Sequence, residues 1–215
     1  FDELAAGGDR QSAEGVAFLA PIQDSATLFL AGANYVDHVI EMIGRPPPPK
    51  QGSEPFFFLK PTAQSLVGAG ATVALPHEGC ELDWEAEIAV LIGKPARHIC
   101  EADAMDHVAG YTIVNDLSAR DLMKRTDVVF TYDWIGQKCF PGALPTGPWI
   151  TPVAAVPDPH DLSIRLWVDD ELMQDSNSRQ MHWSIPEQIA YLSRRVGLRA
   201  GDVVIAVNRV QITSA

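Results

Sequence analysis

The run Glu81-Leu82-Asp83-Trp84-Glu85-Ala86-Glu87-Ile88-Ala89-Val90-Leu91-Ile92-Gly93 alternates along its length, with Leu82, Trp84, Ala86, Ile88, Val90 and Ile92 on one parity and Glu81, Asp83, Glu85 and Glu87 on the other. A period of two is that of a strand, here with an apolar face and an acidic one. Neighbours on one face lie about 6.5–7 Å apart, so ionised Glu85 and Glu87 repel by roughly 2–3 kcal/mol at an effective dielectric near 20. The plain reading is a sheet whose acidic face meets water. Against it, the acidic parity continues as Ala89 and Leu91 and so runs toward the interior, where unpaired carboxylates are costly. A hard cation with oxygen ligands relieves both penalties, provided a further acid joins. Asp116, closing the strand-like segment Tyr111-Thr112-Ile113-Val114-Asn115-Asp116, is the best placed.

The 215 residues, 47% hydrophobic and 20% charged, describe one ordinary globular domain with a core able to stabilise itself. No apolar run approaches the roughly 20 residues of a membrane span, which argues against a membrane partner. A net charge of −12 with no basic cluster argues against nucleic acid. Cys80, Cys100 and Cys139 are odd in number and form neither a C-x-x-C pair nor a disulfide framework, so a reducing cytoplasm is expected. The chain opens at Phe1 without a methionine and reads as part of a longer one.

Along the chain, Thr27–Leu30 reads as a short buried strand ending at Gly32, and Ala33–Met42 as a helix on which His38 and Glu41 are three apart and meet. A carboxylate beside an imidazole orients it and raises its basicity, as a general base requires, although a surface pair has the same spacing. Pro46–Pro49 is an extended polyproline segment continued by Lys50-Gln51-Gly52-Ser53. It is a plain connection or part of a lid over 37–52 that brings His38 and Glu41 to the site when substrate binds. Pro55–Pro61 is an apolar strand closed by proline, and Glu101–Val108 and Ala119–Lys124 are short helices. Asp116 and Arg120, four apart, form a helix-start ion pair or both belong to a site. Ser163–Gln174 is a hairpin around Asp169-Asp170, which lacks the glycine tight turns prefer. Ser184-Ile185-Pro186-Glu187 is a capping box opening a helix with Ile189, Leu192 and Val196 inward, and Val203–Val207 is a last strand. There is no G-x-S-x-G and no phosphate-binding glycine loop, and the other five histidines sit in no ligand spacing.

Together these segments resemble the fumarylacetoacetate hydrolase family. The matching residues are Gly32-Ala33-Asn34-Tyr35 with Asp37-His38 and Glu41, then Phe58-Leu59-Lys60-Pro61, Asp83-Trp84-Glu85-Ala86-Glu87, Gly110-Tyr111, Asn115–Asp121, Lys138, Pro145-Thr146-Gly147-Pro148 and Gln174-Asp175-Ser176-Asn177. The resemblance implies a mainly β fold with a few short helices (α+β), a mixed β-sandwich roll over residues 28–215 with 1–27 as a remnant of an N-terminal region. It implies a homodimer, and a divalent cation (Mg2+ first, Mn2+ or Ca2+ as alternatives) on Glu85, Glu87 and Asp116. The substrate is a small oxo-acid, and the implied reaction is hydrolysis of a C–C bond in a β-diketone acid such as an acylpyruvate. Oxaloacetate decarboxylation, or isomerisation or hydration of aromatic ring-cleavage products, is the alternative on the same scaffold, and a catalytically silent member is the alternative of another class. In the hydrolase reading His38, oriented by Glu41, takes a proton from the attacking water. Lys138, which alone would pass for a surface lysine, stabilises the oxyanion, while Arg120 grips a substrate carboxylate and Tyr35 joins the substrate contacts.

Two departures stand out. Met123 replaces a glutamine of many relatives, so one polar substrate contact is missing. After Val204-Ile205-Ala206 relatives continue with Thr-Gly-Thr-Pro and further strands, whereas here Val207-Asn208-Arg209-Val210 follows. An omitted segment between Ala206 and Asn208 is expected, with the domain's C-terminal part incomplete.

Overall fold

The computed structural model describes residues 14–22 and 25–206. The junction from Ala206 to Asn208 and the last part of the 203–207 strand lie outside the described residues.

Among the described residues, twelve strands and four α-helices alternate with short segments of 3-10 helix. In chain order they are β1 (Leu28–Ala31), α1 (Val36–Ile43), β2 (Phe57–Lys60), α2 (Thr62–Ser65), β3 (Leu66–Val67), β4 (Leu82–Asp83) and β5 (Ala86–Ile92). There follow β6 (Val108–Asn115), β7 (Ser118–Ala119), α3 (Trp134–Lys138), β8 (Leu144–Pro145), β9 (Thr151–Pro152), β10 (Ser163–Val168), β11 (Glu171–Asn177), α4 (Ile185–Arg195) and β12 (Val203–Ala206). The fold is mainly β with few short helices, the class the resemblance implied. Six strands form one mixed sheet in the order β2-β1-β12-β5-β6-β9, and the other six form three pairs. β12 inserts between β1, which it joins in parallel, and β5, which it joins antiparallel.

Strand parity decides the two faces of this sheet. Ile88, Val90 and Ile92 pack with Phe29, Tyr111 and Val204 beneath Ile185, Ile189 and Leu192 of α4. Ala89 and Leu91 pack with Leu28, Leu30, Val114, Val203 and Ile205 on the opposite face. The acidic parity of β5 therefore does run into the interior, and Asp83, Glu85 and Glu87 are buried. The reading with these acids in water is overturned.

The long alternating run is not one strand. β4 pairs with β7 and β5 with β6, so the chain changes partner at Trp84-Glu85. Side chains take over the missing rungs there. Glu85 N–H donates to Asn115 Oδ1 (2.9 Å), while the Gln174 carboxamide accepts from Ala86 N–H (2.9 Å) and donates to its carbonyl (2.8 Å). Both groups answer the demand that buried main-chain polar atoms be paired.

Other expectations shift in detail. The short helix expected at 101–108 is present as a 3-10 helix over Glu101–His107, whereas 119–124 divides between β7 and a 3-10 turn at Arg120–Leu122. The hairpin β10–β11 turns through Asp169 (φ 48°) and Asp170 (φ 66°), two left-handed residues as the tightest hairpins need, with aspartates in place of glycine. The capping box is complete, Ser184 Oγ accepting from Glu187 N–H and the Glu187 carboxylate from Ser184 N–H. Val196 ends the helix 54% exposed rather than facing inward, because it sits at the C-cap where the helical periodicity has ended.

Candidate active site

Glu85, at the break between β4 and β5, Glu87 on β5 and Asp116, just after β6, converge. One carboxylate oxygen from each lies within 4.8 Å of the others, and all three residues are buried. Asp116 is drawn there by its own main chain, whose N–H donates to Glu85 O (2.8 Å).

Three cations answer the acids. Lys138, at the end of α3, places Nζ 2.6 Å from both Glu85 Oε2 and Asp116 Oδ2. Arg120 donates through Nε to Asp83 Oδ2 (2.5 Å) and through Nη2 to Glu85 Oε1. Lys60 pairs with Asp116 Oδ1 and donates to the carbonyls of Ala143 (2.6 Å) and Leu117 (3.3 Å). Arg120 thus belongs to the site through Asp83 and Glu85 across strands, not through a helical pairing with Asp116. Lys60 was missed as a site residue, because a lysine closing an apolar strand before proline carries no mark of burial.

The electrostatics separate the acids. Burial raises the Glu85 carboxyl, but Lys138 and Arg120 more than offset this and hold it well below the usual carboxylate range. Glu87 is pushed well above that range by burial and by the neighbouring Asp116 and Glu85 charges. Burial draws the Lys60 ammonium down, only partly offset by Asp116. The Lys138 ammonium resists the same penalty and stays raised through Asp116, Glu85 and Glu87. Three buried oxygen donors around one point, with a carboxyl that its acidic neighbours disfavour as an anion, fit a hard divalent cation.

Glu85, Arg120 and Lys138 open onto a cavity of about 380 Å³ whose wall also holds His38, Met42, Phe58, Met123 and Trp134. α1 thus presents His38 at the wall directly, so the expectation of an imidazole kept remote until a lid closes gives way to a preplaced one. Asp37 anchors this end of α1, its carboxylate accepting from His38 N–H (2.9 Å) and from Ser176 Oγ on β11 (2.5 Å). Glu41 is exposed on the same helix. Tyr35 is fully buried and lies outside the cavity lining. Its hydroxyl is pushed well up by burial and by the charges of Glu87 and Asp37. The positioning roles of Asn115, Gln174 and Asp37 escaped the sequence reading, although their motifs were noted.

Residues 27–206 match the profile of the fumarylacetoacetate hydrolase C-terminal region. This chain belongs to the fumarylacetoacetate hydrolase family. A mitochondrial oxaloacetate tautomerase of Xenopus laevis is 40% identical over 194 residues, which cover 90% of this chain and 58% of that protein. The chain therefore spans a little over half the length of that relative. The crystal structure of fumarylpyruvate hydrolase from Pseudomonas aeruginosa, in complex with Mn2+ and pyruvate, matches with a TM-score of 0.73 and 32% identity, covering 94% of this chain and 81% of that one. That of 5-carboxymethyl-2-hydroxymuconate delta-isomerase from Mycobacterium smegmatis matches with a TM-score of 0.77 and 29% identity, covering 95% and 76%. Family members are enzymes acting on small oxo-acids. No helix among the described residues is long and apolar enough to cross a membrane. The three cysteines are free.

Proposed function

We propose that this chain is the catalytic domain, over residues 28–215, of a divalent-metal-dependent hydrolase that cleaves a C–C bond in a small β-diketone acid, an acylpyruvate or a fumarylacetoacetate-like compound. The observation carrying this reading is the convergence of Glu85, Glu87 and Asp116 on one buried point beside a cavity that Glu85 lines together with His38, Lys138 and Arg120. The three carboxylates would hold the ion, for which Mg2+ is our assignment and Mn2+ or Ca2+ the alternatives. When bound it supplies Lewis-acid polarisation of the substrate's oxo group.

The protein's own residues account for the remaining work. His38 takes the proton of the attacking water on its imidazole, and Glu41, one turn along α1, is assigned to orient the ring. Lys138 sets an ammonium beside the reacting oxygen, in a buried place where a fixed charge costs little reorganisation and acts strongly. Arg120 orients the substrate carboxylate, while Tyr35, buried outside the cavity lining, acts on the site only through its neighbour Glu87 and makes no direct substrate contact. Assignment to the cytoplasm and to a homodimer goes with this reading.

A second reading, enolisation chemistry without hydrolysis, draws on the 40% identity to an oxaloacetate tautomerase and on the isomerase structure. It covers tautomerisation or decarboxylation of oxaloacetate and isomerisation of ring-cleavage products on the same residues. A silent binding member is disfavoured by the presence of every acid and base named above.

The test is a screen of oxo-acids with Mg2+ or Mn2+, following loss of diketone absorbance and release of pyruvate. Turnover is expected only with metal, and His38→Ala should lower kcat by about 100-fold or more with metal binding intact. Near-normal turnover in that variant would remove the general-base role, and enolisation without bond cleavage would select the second reading.

A further inference from the structure

The cavity lining is of two kinds. Glu85, Arg120, Lys138, His38 and Gln137 are its polar part, and Met42, Phe56, Phe58, Met123, Tyr132 and Trp134 its apolar part. Three of those rings form a stack. Phe58 and Trp134 have centroids 5.1 Å apart at 14°, and Trp134 and Tyr132 have centroids 5.6 Å apart at 14°. Phe56 leans on Trp134 at 5.6 Å. Lys138 Nζ stands 5.5 Å from the Phe58 ring centroid, so the polar part and the aromatic wall adjoin.

The wall is held in place by main-chain bonds. Asp133 N–H donates to Met123 O (3.0 Å), Lys124 bridges Tyr132, and Asp133 caps α3 through Gly136 N–H (2.8 Å). Yet Phe56 is 53% and Tyr132 46% exposed, so apolar surface is kept at a cavity mouth where a ligand can cover it.

Resting on the reading of the site proposed above, we infer that the substrate's acyl end is a planar apolar group, an aryl or extended conjugated substituent, and not a second carboxylate. The lining offers one guanidinium, already engaged by Asp83 and Glu85, and one ammonium, already engaged by Glu85 and Asp116. A 2-oxo-acid head occupies these. A distal carboxylate would lie against Met123 and the ring stack, where beyond the Gln137 amide the lining offers it no further cation in exchange for the water it loses. An aromatic acyl group instead extends the ring stack, at the offset-stacked spacing that aromatic pairs prefer. Met123 is the specificity residue on this wall, and Tyr132, at the exposed end of the stack, is the platform that Trp134 backs.

The corresponding reaction is hydrolysis of a 4-aryl-2,4-dioxobutanoate. Water oxygen bonds to C4, the C3–C4 bond breaks, and its electron pair passes to C3 as the enolate of pyruvate. Protonation at C3 then gives pyruvate, with the aryl carboxylate as the other product.

The experiment compares kcat/KM for 4-phenyl-2,4-dioxobutanoate, acetylpyruvate and oxaloacetate on the Mg2+- or Mn2+-loaded protein. Binding of phenylpyruvate and pyruvate is followed separately through quenching of tryptophan fluorescence. The phenyl substrate is expected to exceed oxaloacetate by about tenfold or more, and phenylpyruvate to bind tighter than pyruvate. Trp134→Ala should shrink the phenyl-to-acetyl ratio by about tenfold, a ratio insensitive to any loss of folded protein. Met123→Lys should shift the preference toward oxaloacetate by supplying the missing cation. Oxaloacetate used as well as the phenyl substrate, or ratios unmoved by both variants, overturns this inference and leaves the oxo-acid enzyme standing. No turnover of any oxo-acid with either metal removes the underlying reading and this inference with it.

Discussion

Single residues at this site act by lending polar atoms to a backbone that has run out of partners. Gln174 is the clearest case, since its one carboxamide serves both the N–H and the carbonyl of Ala86, between the two glutamates. Leaving either group unpaired in the interior costs about 1–3 kcal/mol. Gln174→Leu is therefore expected to lower stability by about 2–5 kcal/mol and to weaken Mn2+ binding, because Glu85 and Glu87 flank the loosened residue. Urea unfolding of the metal-free protein and calorimetric Mn2+ titration separate the two effects. Unchanged metal affinity would mean that the glutamates are positioned without it.

At the level of elements, the segment between α1 and β2 is tied to the start of α4. Lys50 Nζ lies 2.6 Å from the Glu187 carboxylate and 5.2 Å from the Trp183 ring centroid, while Glu187 completes the capping box with Ser184. Burial raises the Glu187 carboxyl, but Lys50 and the Ser184 bonds outweigh it and hold it below its ordinary value of 4.5. A carboxyl lowered on folding gives stability that is fully present above 4.5 and lost as pH falls through the folded value. Glu187→Ala should therefore lower stability by about 1 kcal/mol near neutral pH, mainly through the lost cap. The difference from the parent should shrink as pH falls through that lowered folded value. Melting curves of the two proteins across that range check it, and a difference that persists in acid would assign the effect to packing. Element boundaries were legible where chemistry marks them, as at Ser184-Ile185-Pro186-Glu187. They were not legible at Trp84-Glu85, because a change of strand partner leaves the period-two pattern unbroken.

For the whole molecule, four buried carboxylates face three cations in one cluster beside the cavity, Asp83, Glu85, Glu87 and Asp116 against Lys60, Arg120 and Lys138. A divalent ion reverses the sign of this cluster and favours an anionic substrate. On the proposed site it binds only the folded arrangement, since Asp116 comes from a part of the chain well removed from Glu85 and Glu87. Mn2+ at about 100 times its Kd should add about 2.7 kcal/mol of stability, a rise in Tm of roughly 5–11 °C for a chain of this size. Glu87→Gln should abolish most of that rise, as read by differential scanning calorimetry with and without metal. An equal rise in the variant would move the ion away from Glu87.

The sequence by itself determined the period-two strands, the capped helix, the acidic parity turning inward and the candidate set His38, Glu85, Glu87, Asp116, Arg120 and Lys138. Each of these is written in local spacing or in a motif, except Lys138, which only the family resemblance singles out. Only the tertiary structure decided that β12 lies between β1 and β5, that Gln174 and Asn115 replace main-chain partners beside the glutamates, and that Lys60 is a buried counter-ion to Asp116. It also brought Met123 and Trp134 onto one wall beside the charges. Pairing order and burial are long-range quantities, set when strands distant in the chain close on one another. A lysine, a glutamine or a methionine carries no local mark of the cavity or the carboxylate it will meet.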